Sequence, residues 1–235
     1  ADLVIPEIPK LRLEVDEHHH HKDVYEHSIT VLEQAIEHED RLGGPNLVLR
    51  LASLLHDIGK PKTRAFIEGG GVSFHHHEVV GARLAKKRLQ VLRFDNDTID
   101  AVELLTTLHL RFHGYGEGDW TDSAVRRYVR DAGEFITHLH VLTRADCTTR
   151  NKSKAARLAA TYDSLEARIA VLMEQEELSK IRPDLDGAQV MQILNVKPSR
   201  EVGQAMDFLL ELRLEQGPIG EEAATKALLD WWAKK

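Results

Sequence analysis

The sequence predicts an all-α protein, with one large helical domain over residues 1–180 and a small helical appendage over 181–235. Apolar residues recur at three- and four-residue spacings along most of the chain, which is the period of helices with one buried face. Glycine- and proline-containing breaks punctuate these stretches at a few places. The length of 235 residues suits one large domain or two small ones, and the break Arg182–Pro183–Asp184–Leu185–Asp186–Gly187 divides them.

The elements follow in order. Residues 1–21 read as extended or irregular, held by Pro6 and Pro9. Asp23–Glu39 is amphipathic, with Val24, Val31, Leu32, Ala35 and Ile36 on one face. Gly43, Gly44 and Pro45 break it, and Asn46 is placed to cap an apolar helix from Leu47 to about Ile58, stopped by Gly59. Thr63–Glu68, the three glycines 69–71 and Val72–Phe74 read as a small hairpin or a flexible loop. Helices are expected over His77–Leu92, Thr98–His113, Asp122–Asp131, Glu134–Arg150 and Ser153–Leu178. A glycine-rich loop, Gly114–Trp120, interrupts them. After the break at 182–187 come Ala188–Leu194, Ser199–Glu215 and Glu221–Ala233.

Composition excludes several classes. A hydrophobic fraction of 42% with 29% charged residues is that of an ordinary soluble protein. No apolar run approaches the roughly 20 residues of a membrane span, and residues 1–10 have no signal-peptide core. No membrane partner is expected. Cys147 is the single cysteine and cannot pair within the chain, so a reducing cytoplasm is the expected home. The net charge of −7 argues against indiscriminate nucleic-acid binding. Local basic patches remain: Arg83, Lys86, Lys87 and Arg88; Arg126, Arg127 and Arg130; Arg150, Lys152, Lys154 and Arg157. The last two patches are the expected RNA phosphate contacts, with solvated helix faces as the plainer reading. Tyr115 and Trp120 suit base stacking or the anchoring of a lid, and Trp231–Trp232 helix packing.

Histidine is the anomaly, with 14 residues in clusters. His27 lies in the first helix, His56–Asp57 near the end of the second, and His77 at the start of the next. His109 and His113 are expected one turn apart on one helix face, and Asp146 lies in a later helix. An aspartate buried beside neutral imidazoles is costly unless a cation neutralises it. Nitrogen and carboxylate ligands suit a divalent metal. The identity stays open among magnesium, manganese, nickel, cobalt, iron and zinc. His18–His21, His75 and His76 read as solvent-facing, and at most one of His138 and His140 as pointing inward.

The order His27, His56–Asp57, Asp146, with Gly59–Lys60 directly after the pair, resembles the H…HD…D pattern of the HD phosphohydrolase superfamily. That resemblance implies an HD-type helical domain, a bound divalent metal and hydrolysis of phosphate esters. It implies His27, His56, Asp57 and Asp146 as ligands, His77 and His113 as further ligands, and Lys60, Asp57 and His109 as the catalytic set. The runs His21–Lys22–Asp23–Val24–Tyr25–Glu26–His27, Leu54–Leu55–His56–Asp57–Ile58–Gly59–Lys60 and Phe74–His75–His76–His77–Glu78–Val79–Val80–Gly81–Ala82 narrow it. They resemble the corresponding domain of bacterial CCA-adding tRNA nucleotidyltransferases. Arg144–Ala145–Asp146–Cys147–Thr148–Thr149–Arg150–Asn151–Lys152 is similar to their actinobacterial branch. Asp184–Leu185–Asp186–Gly187, Met191, Leu194, Pro198, Val202–Gly203 and Leu209–Leu210 resemble the tail.

Those enzymes carry a nucleotidyltransferase head marked by a Gly-Ser turn and two aspartates one residue apart. Asp95–Asn96–Asp97 and Asp184–Leu185–Asp186 have the aspartate spacing but follow no Gly-Ser turn. The chain therefore reads as body and tail, with the head separate or excised, and nucleotidyl transfer by this chain alone is not expected. The expected activity is hydrolysis of a phosphomonoester or 2′,3′-cyclic phosphate, with tRNA or its 3′ end and small phosphate esters as partners. A catalytically silent tRNA-binding body is the alternative.

Overall fold

The computed structural model describes residues 3–13, 23–68, 71–115, 120–149, 151–176 and 181–235, with backbone alone for Leu13, His113 and Gly114. The expectations that fall on His18–His21, on most of the glycine-rich loop, on Arg150 and on the His113 side chain lie outside the described residues.

Among the described residues the protein is all-α apart from one two-strand hairpin, and it forms two compact units. One comprises Ala1–Glu117 and Glu134–Ser164, and the other Gly118–Gly133 and Leu165–Lys235. Among the described residues no helix is long and apolar enough to cross a membrane.

The first unit contains α1 (Val24–Glu37), α2 (Leu47–Leu55), the short α3 (Lys60–Thr63), α4 (His77–Val91), α5 (Asn96–Leu108) and α7 (Ile136–Asp146). Asp23 starts α1, its carboxylate accepting from Glu26 N at 2.7 Å. The chain then turns through Gly43 and Gly44, whose φ values of 84° and 130° suit glycine, and enters α2 at Asn46. The Asn46 side chain accepts from Leu49 N at 2.9 Å, the cap expected from sequence. Behind it sits Glu39, buried and bonded by Arg50 through two N–H groups at 2.7 Å. Val31 and Ala35 of α1, Leu49 and Leu55 of α2, Leu105 of α5 and Leu139 and Leu142 of α7 form the core. The hairpin pairs β1 (Ala65–Phe66) with β2 (Val72–Ser73) antiparallel, Ala65 opposite Ser73.

Three helices stop earlier than periodicity predicts. α2 ends at Leu55 and not Ile58, α5 at Leu108 and not His113, and α7 at Asp146 and not Arg150. In the first two a histidine ends the helix. His56 Nδ1 bonds Ser53 O at 2.8 Å and His109 Nδ1 bonds Thr106 O at 2.6 Å, engaging carbonyls that a continuing helix would use. His109 and His113 thus do not share an α-helix, because Arg111–Gly114 is a separate 3-10 turn.

The second unit contains α6 (Asp122–Ala132), the latter half of α8 (Lys152–Glu176), α9 (Gly187–Leu194), α10 (Arg200–Gln216) and α11 (Glu221–Trp232). Leu185, Val190, Ala205, Leu209, Ala224 and Leu228 form its core. Trp231 stacks on Phe208 with ring centroids 5.2 Å apart, which is the packing role expected for it. The aspartate pairs also find structural work. Asp186 caps α9 in a capping box with Gln189, and Asp184 binds Arg213 and the Ile219 and Gly220 amides. In the first unit Asp95 caps α5 through Thr98 N.

Candidate metal centre

The histidines and aspartates of the site stand at helix ends. His27 sits in the first turn of α1, His56 closes α2, His77 opens α4, His109 closes α5 and Asp146 is the last residue of α7. Asp57 follows in the turn that leads to Lys60, the first residue of α3. This turn lies against α4 at the van der Waals limit. A Cβ on Gly59 would stand 2.1 Å from His77 O and 2.7 Å from Gly81 N, so only glycine lets the two backbones approach so closely.

Every imidazole has its Nδ1 engaged. His56, His77 and His109 direct it to the carbonyl three residues back, at 2.8, 2.8 and 2.6 Å. His27 Nδ1 lies 3.2 Å from Thr148 Oγ1. A carbonyl can only accept, so Nδ1 carries the proton in those three rings and the lone pair of each neutral ring is left on Nε2. The Nε2 atoms converge. His27 Nε2 lies 2.9 Å from Asp146 Oδ1, 3.3 Å from His56 Nε2 and 3.6 Å from Asp57 Oδ2. His56 Nε2 is 3.2 Å from Asp57 Oδ2, and His77 Nε2 is 3.2 Å from Asp57 Oδ1. The structure thus brings together His27, His56, Asp57, His77, His109 and Asp146. Two donor groups result, His27–His56–Asp57 and Asp57–His77–His109, each with its ligand atoms within 4.8 Å of one another. Asp57 is common to both.

The electrostatics invite positive charge. Burial alone pushes the His56 imidazole down, but Asp57 and Asp146 beside it hold it up to about 9. Burial pushes the Asp57 carboxyl up, and His56, Lys60 and the His77 hydrogen bond outweigh this and hold it well below the usual carboxylate range. Lys60 is buried, with Nζ 2.9 Å from Asp57 Oδ2. His109 is pushed down to about 3, first by burial and then by the charge on His56. Its Nε2 is buried with no hydrogen-bond partner among the described residues. An orphaned imidazole lone pair beside an ionised carboxylate fits a cation donor set.

The donors open into a cleft of about 1060 Å³. Thr148, Lys154, Arg157 and Tyr162 line it along with Phe74, and so do the exposed His75 and His76. Tyr162 donates to Thr143 O at 2.7 Å and stacks on Phe112 at 4.0 Å between centroids. Burial and the neighbouring Asp146 push its phenol up, so it is a fixed donor and not a base. Sequence reasoning missed Thr148 and Tyr162. Thr148 lies two residues after Asp146, and that proximity was the available signal.

The basic residues divide. Arg126 is buried, bonded twice by Glu176 at 2.8 and 2.9 Å, and donates to Leu214 O at 3.1 Å. So held, it braces the second unit and presents no free face to a phosphate. Arg127 pairs with Glu211 and Glu215, and Arg130 with Asp131 and Glu211. Lys152, Lys154 and Arg157 are exposed on the first turns of α8. In the first unit, the Asn46 amide lies 3.1 Å from His138 Nε2, and His138 belongs to neither donor group.

Comparison with known proteins matches the HD domain model to residues 24–174. The chain is 30% identical over 237 residues to an A-adding tRNA nucleotidyltransferase of Deinococcus radiodurans, covering 100% of this chain and 52% of that protein. It is 33% identical over 234 residues to a CC-adding tRNA nucleotidyltransferase of Thermus thermophilus, covering 96% and 49%. The chain spans about half the length of the curated relatives it matches.

Proposed function

The chain belongs to the HD domain family, and on that premise we propose that it is a metal-dependent phosphohydrolase acting on a phosphomonoester or 2′,3′-cyclic phosphate in tRNA 3′-end processing or repair. The observation that carries this reading is the gathering of four imidazole Nε2 atoms around the buried Asp57 carboxylate in two donor groups, with Asp146 beside His27 and each Nδ1 already engaged. His27, His56, Asp57 and Asp146 would hold one divalent ion, and His77 and His109 add donors around the second oxygen of Asp57. A divalent cation there supplies Lewis-acid chemistry, polarising a phosphoryl oxygen and making water a stronger acid.

The chain's own groups do the rest. Lys60 orients the Asp57 carboxylate and, lining the cleft, offers its charge to a phosphoryl oxygen. His109 is held neutral with its Nε2 lone pair available, so it is suited to ligating a cation and does not donate to phosphate oxygens. The cleft's half-buried ring Phe74 and the buried Tyr162 limit water around the reacting ester.

The relatives' names support the tRNA setting, with the RNA reached through Lys152, Lys154 and Arg157 and through the tail over 181–235. Those names speak of nucleotide addition alone, which favours as second reading a silent tRNA-binding body. Elemental analysis paired with hydrolysis assays separates the two. Bound metal near one equivalent or more, with turnover of 2′,3′-cyclic AMP or p-nitrophenyl phosphate in at least one of magnesium, manganese, cobalt, nickel or zinc, is the expected result. Metal-loaded protein inert with all five is the result that leaves the silent body.

A further inference from the structure

The cleft is larger than one phosphoryl group needs. Its volume of about 1060 Å³ is at the upper end of pockets that take whole drug-sized molecules, about 300–1,000 Å³. Beyond the metal donors it is lined by Lys154 and Arg157 of α8. Three residues apart on a helix, they point to the same side. Both are exposed, and neither forms an ion pair among the described residues. Arg88, Arg126, Arg127, Arg144, Arg168 and Arg213 are each tied to a carboxylate. In a chain of net charge −7, these two cations, without carboxylate partners among the described residues, line the cleft that holds the donor groups and are available to an anion beyond the phosphoryl group at Lys60. Phe74 lines the same cleft and supplies a flat ring of the kind bases stack on.

We infer that Lys154 and Arg157 form a second phosphate subsite of this site, so that its substrate is the 3′ terminus of an RNA and not an isolated mononucleotide. This rests on the hydrolytic reading above. The terminal phosphate ester lies at the donor groups and the preceding phosphodiester at Lys154 and Arg157. For a terminal cyclic phosphate, a water oxygen bonds to phosphorus, one ester P–O bond breaks, and the released ribose oxygen takes the proton. No further reactant is needed. A nucleoside 3′,5′-bisphosphate also offers a second phosphate, so the test includes it.

The test is equilibrium binding to the full chain, metal-free and manganese-loaded, of a three-nucleotide RNA with a 3′-phosphate, a 3′-mononucleotide and a nucleoside 3′,5′-bisphosphate. The trinucleotide should bind at least about tenfold more tightly than the mononucleotide, the scale of two exposed charge contacts. Lys154→Gln with Arg157→Gln should erase that ratio. The same ratio of kcat/KM values, measured on the cyclic-phosphate forms, should fall with it. An unchanged binding ratio in the double variant overturns the subsite. A bisphosphate that matches the trinucleotide overturns the RNA terminus as substrate. Absence of hydrolysis in the metal-loaded wild type refutes the hydrolytic reading instead, and the binding ratio still decides the subsite.

Discussion

At the scale of single residues, Asp57 holds the site together. Its two oxygens face different histidines, Oδ2 towards His27 and His56 and Oδ1 towards His77, and Lys60 sits on Oδ2. Asp57→Asn removes the negative charge common to both donor groups, so bound metal and turnover should disappear together, read by elemental analysis and assay of one preparation. Lys60→Met should keep the metal and lower turnover on the order of 10²-fold, the scale for removing one donor aimed at developing charge. Metal missing from Lys60→Met would assign the lysine to holding Asp57 alone. Glu39 governs a different property. Arg50 holds its carboxyl below the ordinary 4.5, aided by Asn46 N and opposed by burial. A carboxyl lowered in the folded state stabilises above its unfolded value, and the contribution is lost as pH falls through the lower folded value. Urea midpoints should therefore separate wild type from Glu39→Gln at pH 7 and draw together as pH falls through the lowered folded value, below the ordinary carboxylate range.

At the scale of elements, the site depends on where helices stop and how closely they approach. Gly59 shows the second point, since any Cβ there meets the main chain of α4. Gly59→Ala should cost about 1–3 kcal/mol in urea unfolding and shed metal, because His77 moves off Asp57. Gly203, exposed within α10 with nothing near its absent Cβ, provides the contrast. Gly203→Ala should stabilise by up to about 1 kcal/mol and leave metal content alone. A Gly59→Ala protein as stable and metal-rich as Gly203→Ala would show that the close approach is dispensable. Helix identity was legible from periodicity, and the Asn46 cap from residue type. The early ends at His56 and His109 were not legible, because an imidazole closing on its own helix carbonyl depends on its rotamer.

At the scale of the whole molecule, charge is sorted within each unit. The basic run of α6 turns to acids of its own unit: Arg126 to Glu176, and Arg127 and Arg130 to Glu211. Basic clusters in sequence are thus a poor guide to basic surface, since only folding decides which cations meet carboxylates. The start of α8 stays exposed and gives the RNA prediction its sites. In tRNA binding followed against salt, Lys152→Ala with Lys154→Ala should flatten the slope by about 2, roughly one unit for each phosphate left without its lysine. An unchanged slope would leave these lysines as a solvated helix face.

The sequence by itself determined the helical class, the metal-donor residue types in their order along the chain, and the kinship those residues carry. Helical period and ligand chemistry are local properties, and a linear pattern records them. Only the tertiary structure decided that Asp57 serves two donor groups, that Thr148 backs His27, that Arg126 is internal, and that Lys154 and Arg157 share the cleft with the donors. Each of these depends on distances between residues far apart in the chain, which close packing of helix ends sets and no spacing in sequence encodes.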